Sequence, residues 1–170
     1  MKIKLIKDYI HKFTKQIKII IYIKMKSIIL ILLLIFSTIS YNPDAAVKYA
    51  RIYCHNYNPA YPTYNSGSDC ANFVSQCLIA GGMDLTGCDK VRNNGVILGV
   101  TALKNCLIKK GWHESKTKPP NFRSGYIMAK PNLCHVIIAT SVEENKIKYC
   151  GHTQDVCEKV LNYEVIYIYP

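Results

Sequence analysis

One cysteine stands where a nucleophile could work. Cys70 follows the turn-forming residues 66–69 and opens an apolar segment that ends at Gly81 and Gly82. Apolar side chains recur with the spacing of one buried helix face, at residues 70, 73, 74, 77 and 78. The spacing predicts Cys70 in the first turn of a buried helix capped by Asp69. Free amides and the dipole there favour a thiolate, so Cys70 is a candidate nucleophile, with a core cysteine as the alternative.

Such a nucleophile needs a base and a group that orients the base. The part of the chain after residue 40 contains four histidines, His55, His113, His135 and His152. We expect the first two to be solvated. The other two lie at the ends of two predicted strands whose turn centres on residues 143–144, and this register pairs position 135 with position 152. Side by side, His135 and His152 would suit a base and its orienting partner.

A zinc site is the competing interpretation of the same residues. Cys134-His135 and Cys150-Gly151-His152 together offer four ligands. Residues 134 and 135 point to opposite faces of a strand, however, and the Cys-x-x-Cys spacing is absent. We therefore expect no metal.

A loop rich in proline, asparagine and tyrosine precedes the Cys70 helix at residues 57–65. Tyr61 and Tyr64 are candidates for the wall of a substrate cleft. The alternative is that these rings only cover the edge of a helix.

The elements around these residues follow a simple order. Helices are predicted over residues 42–55, 70–80 and 100–110, the first from an asparagine cap and a proline at the first helical position. Strands are predicted over residues 126–129, 135–142, 146–150 and 160–169. Because the helices come first and an antiparallel sheet second, the fold class is α+β.

The positive charge of the chain is concentrated at its N-terminus. The formal net charge is +11, and residues 1–40 contribute eight lysines against one aspartate. The remainder has no run of Lys or Arg and is only mildly basic, which argues against a nucleic-acid partner.

The first 40 residues resemble a secretion leader. Lys24 and Lys26 precede the apolar run 28–36, and Thr38 and Ser40 supply small residues before a cut at Tyr41. We therefore expect residues 25–40 to be a signal peptide, residues 1–24 to be an extension of the gene model, and residues 41–170 to be one secreted domain. The alternative is a signal anchor that holds the protein at a membrane.

All eight cysteines lie after residue 40, a density typical of disulfide-bonded secreted domains. With Cys70 free, Cys77 is the candidate for an unpaired core thiol, since it lies two turns further along the same helix face. Six cysteines would remain for three bridges, and Cys150 and Cys157 are close enough in sequence to close one loop.

The motifs resemble the putative amidase domain family, which is similar to the NlpC-type peptidases of the papain-like superfamily. The specific part is the block 69–82, DCANFVSQCLIAGG, with Asn58-Pro59-Ala60-Tyr61 before it and His-Val-Ile-Ile and Gly-His-Thr segments after it. The resemblance covers most of residues 43–155. One departure is Gly125-Tyr126, where such domains often carry Gly-Asp.

The resemblance implies acyl transfer by a Cys-His-His triad. Cys70 would attack an amide carbonyl and form a thioester, its backbone N–H would help to hold the oxyanion, and His135 would act as general base and acid. His152 would orient His135, with Asp155 as the alternative. The same mechanism requires no cofactor.

These expectations define a secreted, monomeric cysteine amidase or peptidase whose substrate is a peptide or other amide. Stem peptides of bacterial peptidoglycan are the first substrate hypothesis, by analogy of fold. The implied architecture packs N-terminal helices, with the nucleophile at the start of the central one, on a C-terminal antiparallel sheet. The alternative is a disulfide-stabilised binding domain of the same fold without catalysis.

Overall fold

The computed structural model describes residues 14–29, 41–64 and 69–170. The chain divides into two compact units, Met1–Ser40 and Tyr41–Pro170. In the first unit, residues 14–29 are helical (α1) and their side chains are exposed. No helix among the described residues has the length and apolar character needed to cross a membrane.

Residues 30–40 lie outside the described residues, and with them most of the proposed signal core and the cleavage motif. The same is true of residues 65–68, in the turn before Cys70. The signal peptide and its cleavage therefore stay predictions.

Three helices begin the second unit, close to the predicted positions. They are α2 (Pro43–Tyr53), α3 (Asp69–Ala80) and α4 (Val100–Lys109). Asn42 caps α2 as its sequence indicates, since its side-chain oxygen accepts from the backbone amides of Asp44 and Ala45 at 3.0 and 3.1 Å.

The central helix α3 is buried on every side rather than on one face. Each residue from Asp69 to Leu78 is buried, polar ones included. The reason is that α2, α4 and the sheet strand Val136–Val142 all pack against α3. A helix with neighbours all round has no solvent face, so its apolar stripe understates its burial.

The sheet has six antiparallel strands among the described residues. They are β1 (His113–Ser115), β2 (Ile127–Ala129), β3 (Val136–Val142), β4 (Ile147–Gly151), β5 (Val156–Val160) and β6 (Ile166–Tyr169), in the spatial order β1-β6-β2-β3-β4-β5. The α+β class is confirmed. The short strands β1 and β5 were not predicted, and β6 occupies only the end of the predicted segment 160–169.

The hairpin of β3 and β4 is shifted from the predicted register. The shift is two residues at Val142–Ile147 and one residue at Ile138–Cys150, with an irregularity between Ala139 and Ser141. A slip of one residue moves a side chain to the opposite face of the sheet. Extending the pairing of Ile138 with Cys150 places His152 opposite Val136, so His135 and His152 are not direct cross-strand partners.

Both faces of the sheet are covered. One face, which includes Val136 and Ile138, packs on the helices. Cys70 and Phe73 of α3 belong to the same hydrophobic core. The other face holds a smaller aromatic cluster that includes Tyr126, Ile137 and Tyr149. Trp112 is a buried packing residue, with its ring 5.4 Å from that of Tyr41.

Two disulfides link the elements, one fewer than expected. Cys54 at the end of α2 is bonded to Cys157 in β5, and Cys88 is bonded to Cys106 in α4. The free cysteines are Cys70, Cys77, Cys134 and Cys150. Cys77 is an unpaired core thiol, as predicted, and Cys157 pairs with Cys54 rather than with Cys150, the nearer cysteine in sequence.

Candidate active site

Cys70 lies in the first turn of α3, where the sequence placed it. Its side chain is 1 % exposed. The backbone N–H of Val136 and the side chain of Thr153 lie near enough to the thiol to lower its pKa. The two predicted histidines are the chain neighbours of these residues, since His135 precedes Val136 and His152 precedes Thr153. The fold therefore brings α3, β3 and the β4–β5 turn together at Cys70.

The surroundings of Cys70 favour the protonated thiol rather than the expected thiolate. Burial raises the pKa of the Cys70 thiol above its ordinary value of 9.0, and hydrogen bonds from Val136, Ala71 and Thr153 offset only part of this effect. Near neutral pH the resting group is a thiol. A proton acceptor is therefore required before Cys70 can attack a carbonyl carbon.

His152 is buried against the start of α3 and not beside His135. Its Nδ1 contacts the Asp69 carboxylate, and its Nε2 lies 2.8 Å from the Tyr53 carbonyl oxygen at the end of α2. Both partners can only accept hydrogen bonds when Asp69 is ionised. Both ring nitrogens of His152 therefore face hydrogen-bond acceptors.

Two rings enclose His152. The Phe73 ring stacks on it at a centroid distance of 4.0 Å, and the Tyr57 ring lies 4.3 Å away on a tilted plane. Neither ring nitrogen of His152 is left to orient His135. The structure therefore contradicts the direct orienting role predicted for His152. A one-residue register slip is the physical reason.

Asp69 is a buried partner of His152 and not a substrate contact. Its side chain is 4 % exposed. One oxygen accepts from the Asn72 side chain at 2.9 Å and from the Tyr64 backbone N–H at 3.2 Å, while the other contacts His152. Burial opposes ionisation of the Asp69 carboxyl, but these hydrogen bonds outweigh it and lower its pKa. This carboxylate joins the loop before α3 to β4.

His135 lies at the start of β3 and faces a cavity of about 350 Å³. Its Nε2 lies 3.8 Å from the point where a Cβ on Gly151 would stand, on the side of Ile137. Burial and the nearby charge of Lys130 lower the pKa of His135, so the ring is neutral near neutral pH. A neutral imidazole is the form that can accept the Cys70 proton.

Thr153 links Cys70 to the cavity of His135. It lines that cavity and also contacts the Cys70 thiol. Its backbone φ of 83° lies in the left-handed region that β-branched residues rarely adopt. Backbone strain of this kind concentrates at functional sites. In the sequence, Thr153 is marked only as the last residue of the Gly-His-Thr segment.

The other predicted site residues lie elsewhere. Tyr64 lines a separate cavity of about 380 Å³ with Pro62 and Arg92, and Tyr61 is half-buried in the same loop. Asp155, the alternative third residue, accepts a hydrogen bond from Tyr57 at 2.8 Å. His55 and His113 are exposed, as predicted.

The ligands of the zinc interpretation point in different directions. Cys150 Sγ lies 3.6 Å from Cys157 Sγ, while the ring of His152 is bound by Asp69 and Tyr53. One set of metal-ligating groups within 4.8 Å of one another occurs in the described part of the chain, and it consists of Cys54, Cys150 and Cys157. Two of these form a disulfide.

A comparison of the chain with protein-family models tests the family resemblance that the motifs suggested. A model described as a putative amidase domain matches residues 40–167. The chain belongs to this family. Comparisons with curated proteins and with solved structures gave no match. The amidase domain thus spans all of the second unit except its last three residues, and the family name indicates an amide hydrolase.

Proposed function

We propose that this amidase domain is a secreted cysteine hydrolase of amide bonds with a papain-like arrangement of NlpC type. The observation that carries the proposal is the position of Cys70, whose thiol meets β3 at Val136 and the β4–β5 turn at Thr153. These contacts converge beside the cavity that His135 lines. The two disulfides support an oxidising compartment, and hence secretion.

In the proposed mechanism, the neutral His135 ring accepts the Cys70 proton as the sulfur attacks the amide carbonyl. In the resting structure the ring packs over Gly151, so the transfer follows rotation of the His135 side chain toward Cys70. The backbone N–H groups of Cys70 and Ala71 lie at the helix start beside the sulfur, where they lower the pKa of the thiol, and are suited to hold the oxyanion. His135 then protonates the leaving amine and activates the water that cleaves the thioester.

The His152–Asp69 pair has an indirect role in this mechanism. It ties the start of α3, which carries Cys70, to the end of α2 and to the end of β4. His152 therefore serves as a positioning residue for Cys70, in place of the direct contact with His135 that the resemblance implied.

Amide hydrolysis by matched variants tests the proposal. The substrates are a mixture of peptide amides and peptidoglycan fragments, since stem peptides are the first substrate hypothesis. Cys70→Ala should lower the rate at least about 10³-fold. Cys77→Ala, which removes a buried thiol from the same helix, should retain activity. His135→Ala should lose activity in the same way, and His113→Ala should not.

A non-catalytic binding domain is the second candidate, and the near-complete burial of Cys70 favours it. That function predicts no hydrolysis by the wild type of either substrate set. Hydrolysis that persists in the Cys70→Ala variant would contradict the cysteine mechanism.

A further inference from the structure

The charged side chains that line the cavity beside His135 are all positive. Two lysines, Lys130 and Lys159, stand on its wall, and no aspartate or glutamate is among the described residues that line it. Neither lysine belongs to an ion pair within the described part of the chain. A cleft with unpaired positive charge attracts an anion.

The sheet register places Lys130 and His135 opposite each other. Ala129 pairs with Val136, and the Lys130 backbone N–H donates to the His135 carbonyl oxygen at 2.9 Å. Cross-strand partners project to the same face of a sheet, so the ammonium and the imidazole share one side of the hairpin. The electrostatic effect of Lys130 on His135 is consistent with this closeness.

Two further contacts fix the geometry of the cleft. Lys130 Nζ lies 5.4 Å from the centroid of the Tyr163 ring, which holds the ammonium at the cavity wall. Lys159 pairs with Tyr149 across β5 and β4, so it projects to the face that carries the Tyr149 ring. The two lysines thus line one cavity from separate strands, Lys130 from the end of β2 and Lys159 from β5.

We propose that this cleft binds the carboxylate of the leaving group, so that the enzyme releases an amino acid or short peptide from a free C-terminus. The inference rests on the proposed amide hydrolysis. It follows because His135, the group that protonates the leaving amine, lines the same cavity as both lysines. The leaving amine and its attached carboxylate therefore occupy the lysine side of His135. The preferred substrates are N-acylated amino acids and peptides with free carboxylates.

The test compares N-acetylated tripeptides of mixed sequence that carry a free C-terminal carboxylate with the same mixture as C-terminal carboxamides. The wild type should hydrolyse the acids with a kcat/KM at least about tenfold higher. In the double variant Lys130→Gln/Lys159→Gln the ratio should fall to about one. Lys48→Gln/Lys146→Gln removes two charges elsewhere and should keep the preference, as should Lys130→Arg.

Equilibrium binding of the same two mixtures to the Cys70→Ala protein separates this inference from the catalytic proposal. Tighter binding of the acids that is lost in the lysine double variant supports the carboxylate site even without hydrolysis. The carboxylate site would be overturned if the wild type hydrolysed acids and amides equally and the Cys70→Ala protein, with both lysines present, bound them equally. A preference that persists in a folded Lys130→Gln/Lys159→Gln protein would overturn it too.

Discussion

Cys70 carries the proposed chemistry, yet its surroundings are mostly uncharged. The groups around the sulfur are hydrogen-bond donors rather than cations, and burial raises the pKa of the thiol. His135 has its pKa lowered by burial and by Lys130. The resting pair is therefore a thiol and a neutral imidazole, not a thiolate and an imidazolium.

A pH profile of alkylation tests this state. Because the pKa of Cys70 is raised, its thiolate fraction should grow about tenfold per pH unit from about pH 6 to beyond about pH 9. Iodoacetamide labelling of Cys70 in a Cys134→Ser background, which removes the exposed free thiol, should accelerate accordingly. Labelling that is fast and constant below neutral pH would show a thiolate and contradict the neutral pair.

The Asp69–His152 pair is the second residue-scale feature that can be tested. Asp69→Ala removes the carboxylate that the His152 ring, the Asn72 amide and the Tyr64 N–H contact, so it should lower the free energy of unfolding by about 1–3 kcal/mol. Asp69→Asn should cost less, because the amide can donate to Nδ1 of a neutral ring and its oxygen can still accept from Tyr64. Urea unfolding measures both, with the exposed Asp89→Ala as control.

The pH dependence of this contribution has a definite sign. The pKa of Asp69 is lower in the folded protein than in the unfolded chain, so its contribution is present above the unfolded pKa of about 4. It is lost as the pH falls through the lower folded pKa. A difference between wild type and Asp69→Ala that is absent at neutral pH, or that grows on acidification, would contradict the ionised carboxylate.

At the scale of elements, the contact between the start of β2 and the start of α2 positions the sheet under the helices. Gly125 donates its N–H to the Ala139 carbonyl oxygen at 2.7 Å and accepts from the Tyr41 hydroxyl at 2.5 Å. Its φ is +84°, and a Cβ there would lie 2.7 Å from Pro43 Cα. This glycine therefore allows both the backbone conformation and the close approach of α2.

Gly125→Ala should destabilise the domain more than Gly111→Ala. Gly111 has a φ of +89° but open space around its Cα, so its substitution costs only the left-handed conformation, about 1–2 kcal/mol. At position 125 the clash with Pro43 should add about 1–3 kcal/mol. Urea unfolding of the two variants measures the difference. Equal losses would mean that the contact with α2 adjusts without cost.

The elements differ in how far local sequence specifies them. The Asn42 cap and the apolar period of α3 place both helices, because capping and periodicity act within a few residues. β1 and β5 are short strands at the two edges of the sheet, and only their partners β6 and β4 define them. The β3–β4 turn starts the register two residues away from the predicted one, and the irregularity between Ala139 and Ser141 reduces this offset to one residue. No nearby residue signals either feature, and the remaining offset places His152 opposite Val136.

The same limit applies to the candidate site. The first-turn position of Cys70 follows from local spacing, and His135 follows from the family resemblance. The Asp69–His152 contact joins residues 83 positions apart, and the Lys130–Lys159 cleft depends on two separate strand pairings. Long-range contacts of this kind become visible only in the folded structure.

For the whole molecule, the longest cross-link depends on three neighbouring sulfurs, those of Cys54, Cys150 and Cys157. Cys54 and Cys157 close a loop of 103 positions, and the free thiol of Cys150 lies 3.6 Å from Cys157 Sγ. A loop of this length contributes up to about 4–5 kcal/mol through the unfolded state. When Cys54 is absent, Cys150 is positioned to replace it.

Counting free thiols after denaturing alkylation tests this geometry. In Cys54→Ser, a new Cys150–Cys157 bridge should leave three free thiols, those of Cys70, Cys77 and Cys134. In Cys54→Ser/Cys150→Ser, Cys157 has lost both neighbouring sulfurs, so four thiols should be free, those of Cys70, Cys77, Cys134 and Cys157. Both variants should be less stable than the wild type. Five free thiols in Cys54→Ser would contradict the closeness of Cys150 to Cys157.

The most direct test of catalysis by Cys70 is the mass of the enzyme during turnover. The protein is mixed with N-acetylated peptides, quenched in acid and mapped by mass spectrometry. Acyl transfer predicts a thioester on the peptide that contains Cys70, with the mass of the released acyl group, and no adduct or hydrolysis in Cys70→Ala. Hydrolysis that proceeds at the wild-type rate in Cys70→Ala, with no acyl group on Cys70 in the wild type, would contradict it.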